Sequence, residues 1–163
     1  MNLTIRAAIP TDADTIAANN VAMALEAEHK RLDPAVATAG AHAVFAEAGR
    51  GRYYLAELDG RVVGQLMITY EWSDWRNGVF WWIQSVYVDP TVRRQGVFRG
   101  LYAHVEALAK ADCGVCGIRL YVDRDNRRAQ ESYRRCGMHD GGYLVMEVDY
   151  SGAVQSAGGY DDA

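Results

Sequence analysis

The feature that most constrains the fold is a run of three strand-like segments in the middle of the chain. Residues 53–57 and 62–71 flank an Asp-Gly dipeptide, which is typical of a tight hairpin turn. A polar loop over 74–78 then leads to residues 79–88, which are rich in β-branched and aromatic side chains. Because strands joined by short turns pair antiparallel, the sequence predicts a three-stranded antiparallel meander.

Helical patterns surround this meander. Residues 97–108 carry apolar side chains at spacings of four, four and three, which predicts a helix with one buried face. The other predicted elements are strands over 3–7, 118–122 and 143–150 and helices over 12–31, 33–48 and 126–136. This order predicts a single α/β domain over residues 1–150 with a mixed sheet. Residues 151–163 are small, polar and acidic, and we expect a disordered tail there.

Composition narrows the classes of function. The 163 residues include 17 Lys and Arg against 21 Asp and Glu, a formal net charge of −4. Such a chain has no general electrostatic reason to bind nucleic acid or an anionic membrane, and it suits a neutral or cationic substrate. The sequence has neither an apolar run of about 18 residues nor a secretory signal, and it has only three cysteines. We therefore expect a cytoplasmic protein with reduced thiols.

The segment most informative about chemistry is VYVDPTVRRQGVFRG, residues 86–100. A predicted strand runs into a loop with a glycine and the cations Arg93, Arg94 and Arg99, and a helix follows at once. The first N–H groups of a helix are unpaired and carry a partial positive charge, so this arrangement suits a pyrophosphate. A solvated basic start of a helix is the alternative interpretation. The Walker pattern of P-loop proteins and the three-glycine dinucleotide fingerprint are both absent.

Two motifs resemble those of the GNAT superfamily of acyl-CoA-dependent N-acyltransferases. RRQGVF over 93–98 is similar to the cofactor loop Arg/Gln-x-x-Gly-x-Gly/Ala, with Phe98 in place of the second small residue. NRRAQESYRRCGM over 126–138 is similar to the second signature, with Met138 in place of a phenylalanine. The two motifs lie at the separation usual for the family.

The resemblance implies a GNAT-like fold, a mainly antiparallel twisted sheet flanked by helices, and acetyl-CoA as acyl donor without a metal. It implies that a primary amine attacks the thioester directly in a ternary complex. Tyr133 would protonate the departing thiolate, and a backbone N–H near Val86 would stabilise the oxyanion. The cofactor would contact the strand end, the loop and the second motif, at Val86, Tyr87, Val88, Arg93, Arg94, Gln95, Gly96, Val97, Phe98, Arg99 and Asn126.

The general base is open at this stage. Some relatives carry a glutamate where this chain has Gln84, and an amide cannot act as a base. Glu71, Glu26 and Glu28 are the candidate bases. We expect Glu26, Glu28, Trp72 and Gln84 to contact the amine, which is a small molecule or a protein amine. Plain solvated helix surface is an equal explanation for Glu26 and Glu28.

Three further interpretations remain open. Trp72, Trp75, Trp81 and Trp82 form either a hairpin that packs its own tip, an aromatic wall for a cationic amine, or a homodimer contact.

A catalytically silent acyl-CoA-binding regulatory module is the alternative to an enzyme, and Gln84 favours it mildly. A nucleic-acid-binding module is disfavoured by the net charge. Cys113 and Cys116 lack the second pair that a zinc site requires, so no metal is predicted.

Overall fold

One five-stranded mixed sheet forms the centre of the protein. The computed structural model describes residues 2–151 and 154–156, without the side chains of Glu28 and residues 154–156. The strands of the sheet are β1 (Leu3–Ala7), β3 (Arg52–Leu58), β4 (Arg61–Ser73), β5 (Gly78–Val88) and β6 (Val115–Leu120). Their order is β1-β3-β4-β5-β6, and only β5 and β6 run parallel. The predicted meander and fold class are confirmed.

Four helices cover the two faces of this sheet. They are α1 (Ala13–Glu28), α2 (Pro34–Ala46), α3 (Val97–Ala111) and α4 (Arg127–Arg135). On one face α1 and α2 pack on Tyr53 and Leu55 of β3. On the other face α3 buries Val97, Leu101 and Val105 against the sheet, as its apolar spacing predicts.

A buried amide network fixes α1 on the sheet. The side chain of Gln65 on β4 is fully buried. Its oxygen accepts a hydrogen bond from Asn19 Nδ2 at 2.9 Å, and its Nε2 donates to Asn20 Oδ1 at 2.8 Å. Because a buried amide without partners is costly, this network holds α1 in one position over β4.

The first helix is shorter than the predicted 12–31. It ends because His29 adopts the left-handed conformation, with φ 53°, and its backbone N–H donates to the Ala24 carbonyl. The next residues form β2 (Lys30–Leu32), which pairs antiparallel with β7 (Val154–Ser156). Three residues of the segment expected to be a disordered tail are therefore a strand, and the rest of that segment lies outside the described residues.

The predicted last strand, residues 143–150, is wrong in this structure. No strand of the described chain pairs with these residues, although their apolar and polar side chains alternate. Alternation specifies two faces, but a strand also needs a neighbour for its backbone groups. We call these residues the terminal segment.

Candidate functional site

A gap between two parallel strands defines the candidate site. β5 and β6 pair from Val79↔Val115 to Ile83↔Leu120 and no further. Residues 84–88 of β5 therefore have no β6 partner within the described chain. Their backbone groups can pair with an extended ligand that enters between the strands.

A β-bulge lies at the start of this gap. Gln84 pairs with Met67 and Tyr87 pairs with Gln65, so Ser85 and Val86 together oppose one residue of β4. Ser85 has a φ of 51°. A bulge leaves one residue unpaired in the ladder and redirects its neighbours, so a backbone N–H can point out of the ladder at this position.

The loop after β5 presents a series of unpaired backbone N–H groups. Arg94 has a φ of 67° and Gly96 has a φ of 86°, and both are exposed. Within the described residues, no hydrogen bond is donated by the backbone of residues 94–96, and the first turn of α3 continues with N–H groups that no helical carbonyl can reach. A Cβ added at Gly96 would meet nothing within 4 Å. The loop is thus open to an anion and has the donors to bind it.

Phe98 points away from this loop and into the protein. Its ring contacts the rings of Tyr102 and Tyr133, with centroids 6.2 Å and 5.4 Å apart. A large side chain is therefore compatible with an open loop, because the ligand-facing group at this position is the backbone.

The hydroxyl of Tyr133 is held in its protonated form. Burial, and then the nearby Cys136, raise the pKa of Tyr133 above its ordinary value. No hydrogen bond to this hydroxyl is present among the described residues, so it is available as a proton donor. The edge contact with Phe98 fixes the ring between α3 and α4.

Asn126 has a structural role at the start of α4. Its side chain caps α4, because Oδ1 accepts a hydrogen bond from the Ala129 N–H at 3.0 Å. The amide nitrogen remains for a ligand, so capping and cofactor contact are compatible.

A cluster of charged and aromatic side chains lies on the sheet face that α1 and α2 cover, towards the end of β5 that is away from the bulge. We call it the ionic–aromatic cluster. We define it as Glu71, Phe80, Trp82, Arg119 and Tyr121. Both carboxylate oxygens of Glu71 are engaged, one by Arg119 Nη1 at 2.9 Å and the other by Trp82 Nε1. The Arg119 guanidinium lies 3.7 Å from the Phe80 ring centroid, and Trp82 stacks on Tyr121 with centroids 4.4 Å apart.

Gln84 and Trp72 occupy different surroundings. Gln84 lies on the same sheet face as this cluster and donates from Nε2 to Thr69 Oγ1 at 2.6 Å, directly before the bulge. Trp72 is 62% exposed and Trp75 is 86% exposed, so the hairpin does not bury these two rings in its own tip.

Glu26 lies beside the basic loop at residues 93–99. Its carboxylate pairs with Arg93 Nη2 at 2.5 Å, and Arg93 Nε donates to the Val88 carbonyl at 2.9 Å. This chain of contacts ties the end of α1 to the loop. Glu28 is the last residue of α1, and its side chain is outside the described part of the structure.

Sequence reasoning missed Arg119, Tyr121 and Thr69. Strand parity is the signal that could have found them, since Thr69 pairs with Trp82 and Trp82 pairs with Arg119. Recognising it requires the register between β5 and β6, which no local pattern specifies.

Comparisons with known proteins agree with this geometry. The model of the acetyltransferase (GNAT) family matches residues 21–138. A possible acetyltransferase from Clostridium difficile 630 is 41% identical, with a TM-score of 0.84 over 91% of this chain and 98% of that one. An aminoglycoside acetyltransferase from an uncultured soil metagenomic sample is 18% identical, with a TM-score of 0.72 over 93% and 100% of the two chains. No curated protein matches the chain significantly.

A further structure shows the same fold with a ligand. AAC(6′)-Iy, in complex with the bisubstrate analogue CoA-S-monomethyl-acetylneamine, is 14% identical, with a TM-score of 0.72 over 91% of this chain and 99% of that one. The family match covers most of the present chain, which therefore belongs to the GNAT acetyltransferase family. It is an acyltransferase of the family that generally uses acetyl-CoA.

The described residues hold neither a candidate metal site nor a candidate membrane-spanning helix. They contain no group of His, Cys, Asp or Glu side chains that could hold a metal ion. In the same part of the chain, no helix has both the length and the apolar character needed to cross a membrane.

Proposed function

We propose that this protein transfers an acetyl group from acetyl-CoA to a primary amine by direct attack in a ternary complex. One observation carries the proposal: the gap beside β5 leads directly to the unpaired N–H groups of residues 94–99. CoA has the matching arrangement, because its extended pantetheine arm leads to a pyrophosphate. The backbone of Val86, Tyr87 and Val88 would pair with the arm, and the loop would bind the pyrophosphate.

The side chains around the loop support this assignment. Arg94 and Arg99 are exposed and add positive charge beside the free N–H groups. Arg93 is committed to Glu26 and Val88, so its part is to hold the loop against α1. Val97 is buried in the core and Asn126 caps α4, which fixes the two elements that border the gap.

Acetyl-CoA, when bound, supplies a thioester carbonyl and a thiolate leaving group. The N–H freed at the bulge around Val86 would donate to the oxyanion that develops on attack. The Tyr133 hydroxyl would give its proton to the thiolate, and its raised pKa keeps that proton in place at neutral pH. These two donors come from β5 and α4.

Amine deprotonation is assigned to a carboxylate acting through water, and the candidates are Glu71, Glu26 and Glu28. Glu71 pairs with Phe80, five residues before Ser85. At about 3.3 Å per residue this places Glu71 roughly 16 Å from the bulge. One bridging water cannot span that distance. We therefore assign Glu71 to the acceptor wall, where it fixes Arg119 and Trp82. Because Glu26 is paired with Arg93, Glu28 remains the candidate base.

The acceptor would lie along the sheet face between Gln84 and the ionic–aromatic cluster. Gln84 is adjacent to the bulge, and its amide oxygen can accept a hydrogen bond from the amine. The stacked rings of Trp82 and Tyr121 offer an aromatic surface to the rest of the acceptor. Glu26 lies near one end of this face. The expected contact of Trp72 with the amine is not supported, because Trp72 alternates with Glu71 along β4 and its side chain lies on the opposite face, with that of Tyr70. A small-molecule amine or a protein amine fits this description.

The test is amine-dependent release of free thiol from acetyl-CoA by the full chain, measured over a panel of small amines, aminoglycosides and peptides. Release that requires both an amine and Tyr133, with a Tyr70→Phe variant as the matched control, would support the proposal. Tyr70 lies on the other face of the sheet. Binding of acetyl-CoA without release for any amine would instead favour the catalytically silent acyl-CoA-binding module.

A further inference from the structure

The sheet extends well beyond the helix that covers one of its faces, which we call the α3 face. β4 has 13 residues, so at about 3.3 Å per residue it is roughly 43 Å long. α3 has 15 residues, so at about 1.5 Å per residue it is only about 22 Å long. The hairpin end of this face therefore continues past the end of α3. Tyr70 is 41% exposed there, and the more exposed Trp72 lies on the same face.

A cavity of about 470 Å³ lies on the α3 face, where α3 ends. We call it the α3-end cavity, and its main lining residues are Arg52, Tyr70, Val79, Trp81, Leu108 and Asp112. Its volume is within the roughly 300–1,000 Å³ of small-molecule sites. None of these residues belongs to the gap beside β5, to the basic loop or to the ionic–aromatic cluster. The cavity is therefore separate from the candidate active site.

The floor of the α3-end cavity is aromatic. The rings of Tyr70 and Trp81, from paired positions of β4 and β5, meet edge to face, with centroids 6.5 Å apart and planes at 70°. Aromatic rings favour edge-to-face and offset-stacked contacts, so these two rings can receive a third. Val79 and Leu108 add apolar surface beside them. A ligand with a planar aromatic group fits this floor.

Two opposite charges border the cavity without pairing with each other. A hydrogen bond with Tyr54 raises the pKa of Arg52, which therefore stays positively charged. Asp112 follows the end of α3, and its Oδ1 accepts a hydrogen bond from the Gly114 N–H at 2.9 Å. Within the described chain, Arg52 pairs with no carboxylate and Asp112 pairs with no cation. A ligand that carries both charges is complementary to this pair.

We propose that the α3-end cavity binds a small aromatic zwitterion, with its carboxylate at Arg52 and its ammonium group at Asp112. A guanidinium suits this role because it can bind a carboxylate through two hydrogen bonds. β3 carries Arg52, and the turn before β6 carries Asp112. These elements lie three strand spacings apart, roughly 14 Å, so the two side chains approach the ligand from opposite sides.

Aromatic amino acids and short peptides with an aromatic residue share this chemistry. In either case the aromatic group would lie on the rings of Tyr70 and Trp81, between the two charges. This second binding site does not depend on the proposed transfer reaction, because it shares no residue with the groups that would carry out that reaction.

Two-dimensional amide NMR of the full chain, without acetyl-CoA, tests the proposal. The zwitterionic probes are L-phenylalanine and the dipeptide glycyl-phenylalanine, and the tighter of the two identifies the source of the ligand. In comparison, 2-phenylethylamine lacks the carboxylate and 3-phenylpropionate lacks the ammonium group. We expect saturable shifts at residues 52, 81 and 112–115 with a zwitterion, and roughly tenfold weaker binding of both compounds with one charge. Shifts confined to residues 84–99, no saturable shift, or equal affinities would each overturn the proposal.

Charge variants separate recognition from a general loss of structure. Arg52→Gln should remove the preference for the zwitterion over 2-phenylethylamine and keep the preference over 3-phenylpropionate. Asp112→Asn should do the reverse. Arg50→Gln and Asp74→Asn are the matched controls, because they make the same charge changes at exposed positions outside the cavity, and they should alter neither preference. If both preferences survive in Arg52→Gln and in Asp112→Asn, these charges do not recognise the ligand and the proposal is wrong.

Discussion

The loop at residues 94–99 offers a ligand mainly backbone N–H groups. The ionic–aromatic cluster instead offers side chains that are already bonded to one another. The loop donors have no partners in the described chain. In the cluster, Glu71 holds both Arg119 and Trp82, and Tyr121 stacks on Trp82. On the proposed function, the first region would bind one fixed chemical group, the pyrophosphate. The second presents a surface whose charges are already balanced.

This difference indicates how binding and specificity divide between the two regions. Free N–H groups at a helix start bind phosphate oxygens with little reorganisation. A balanced ion pair attracts a cationic amine weakly at long range, so selection there rests on shape and on aromatic contact. Variants in the two regions should therefore affect different kinetic parameters.

The largest expected effect is at Gly96. Gly96→Asp should abolish the rise in melting temperature that acetyl-CoA produces by mass action, because it places a negative charge among the phosphate donors. Gly96→Asn is the matched control, since asparagine has nearly the same size, tolerates the left-handed conformation and carries no charge. If acetyl-CoA raises the melting temperature of both variants equally, the negative charge at residue 96 does not matter for binding.

Tyr133 should give the next largest effect. Tyr133→Phe should lower turnover by on the order of 10²-fold, the low end for loss of a general acid, while acetyl-CoA still raises the melting temperature. Because the pKa of Tyr133 is raised, the proton stays on the hydroxyl at neutral pH and is lost only at alkaline pH. The alkaline limb of the rate profile should therefore disappear in the variant. Unchanged turnover in the variant would mean that Tyr133 is not the general acid and has only a packing role.

The two regions were not equally predictable from the sequence. The candidate loop could be predicted because a glycine, basic residues and a helix start follow one another along one short segment. The conformation of Phe98 could not, because it depends on Tyr102 and Tyr133 from two helices. The partners of Glu71 could not either, because Arg119 reaches it only through the parallel register of β5 and β6.

The terminal segment shows the same limit in another form. Its alternation predicts a strand that the structure does not show, because the pattern carries no information about a neighbouring strand with which the segment could pair. The buried amides of Gln65, Asn19 and Asn20 are a third case, since nothing in their local sequence distinguishes them from surface residues.

Glu71 and Glu26 allow a direct comparison of the two regions, with smaller expected changes in KM. Glu71→Gln should raise KM for the amine roughly fivefold and leave KM for acetyl-CoA unchanged, since it weakens one ion pair of about 1 kcal/mol in the acceptor wall. Glu26→Gln should do the reverse, because Glu26 holds Arg93 at the loop. Steady-state kinetics with each substrate varied will separate the two. If both variants change the same KM, the two regions are not distinct.

The smallest expected effect concerns stability at the start of the loop. Hydrogen bonds from the Thr91 hydroxyl and N–H, and then from Arg61, lower the pKa of Asp89 from 3.8 to about 2. A lowered pKa stabilises the fold above 3.8, and that contribution is lost as the pH falls through about 2. Asp89→Ala should cost about 1 kcal/mol at neutral pH, as for loss of a cap. Denaturation at several pH values should show this difference shrinking below pH 4, and a constant difference would contradict it.

The most direct test of the backbone site is amide hydrogen exchange of the full chain with and without acetyl-CoA. We expect new protection at residues 86–88 and 94–99, where backbone N–H groups would donate hydrogen bonds to the pantetheine arm and the pyrophosphate, and no change at residues 115–121. Protection concentrated at 115–121, or none at 94–99 under saturating acetyl-CoA, would contradict the assignment of this loop and strand as the acyl-CoA site.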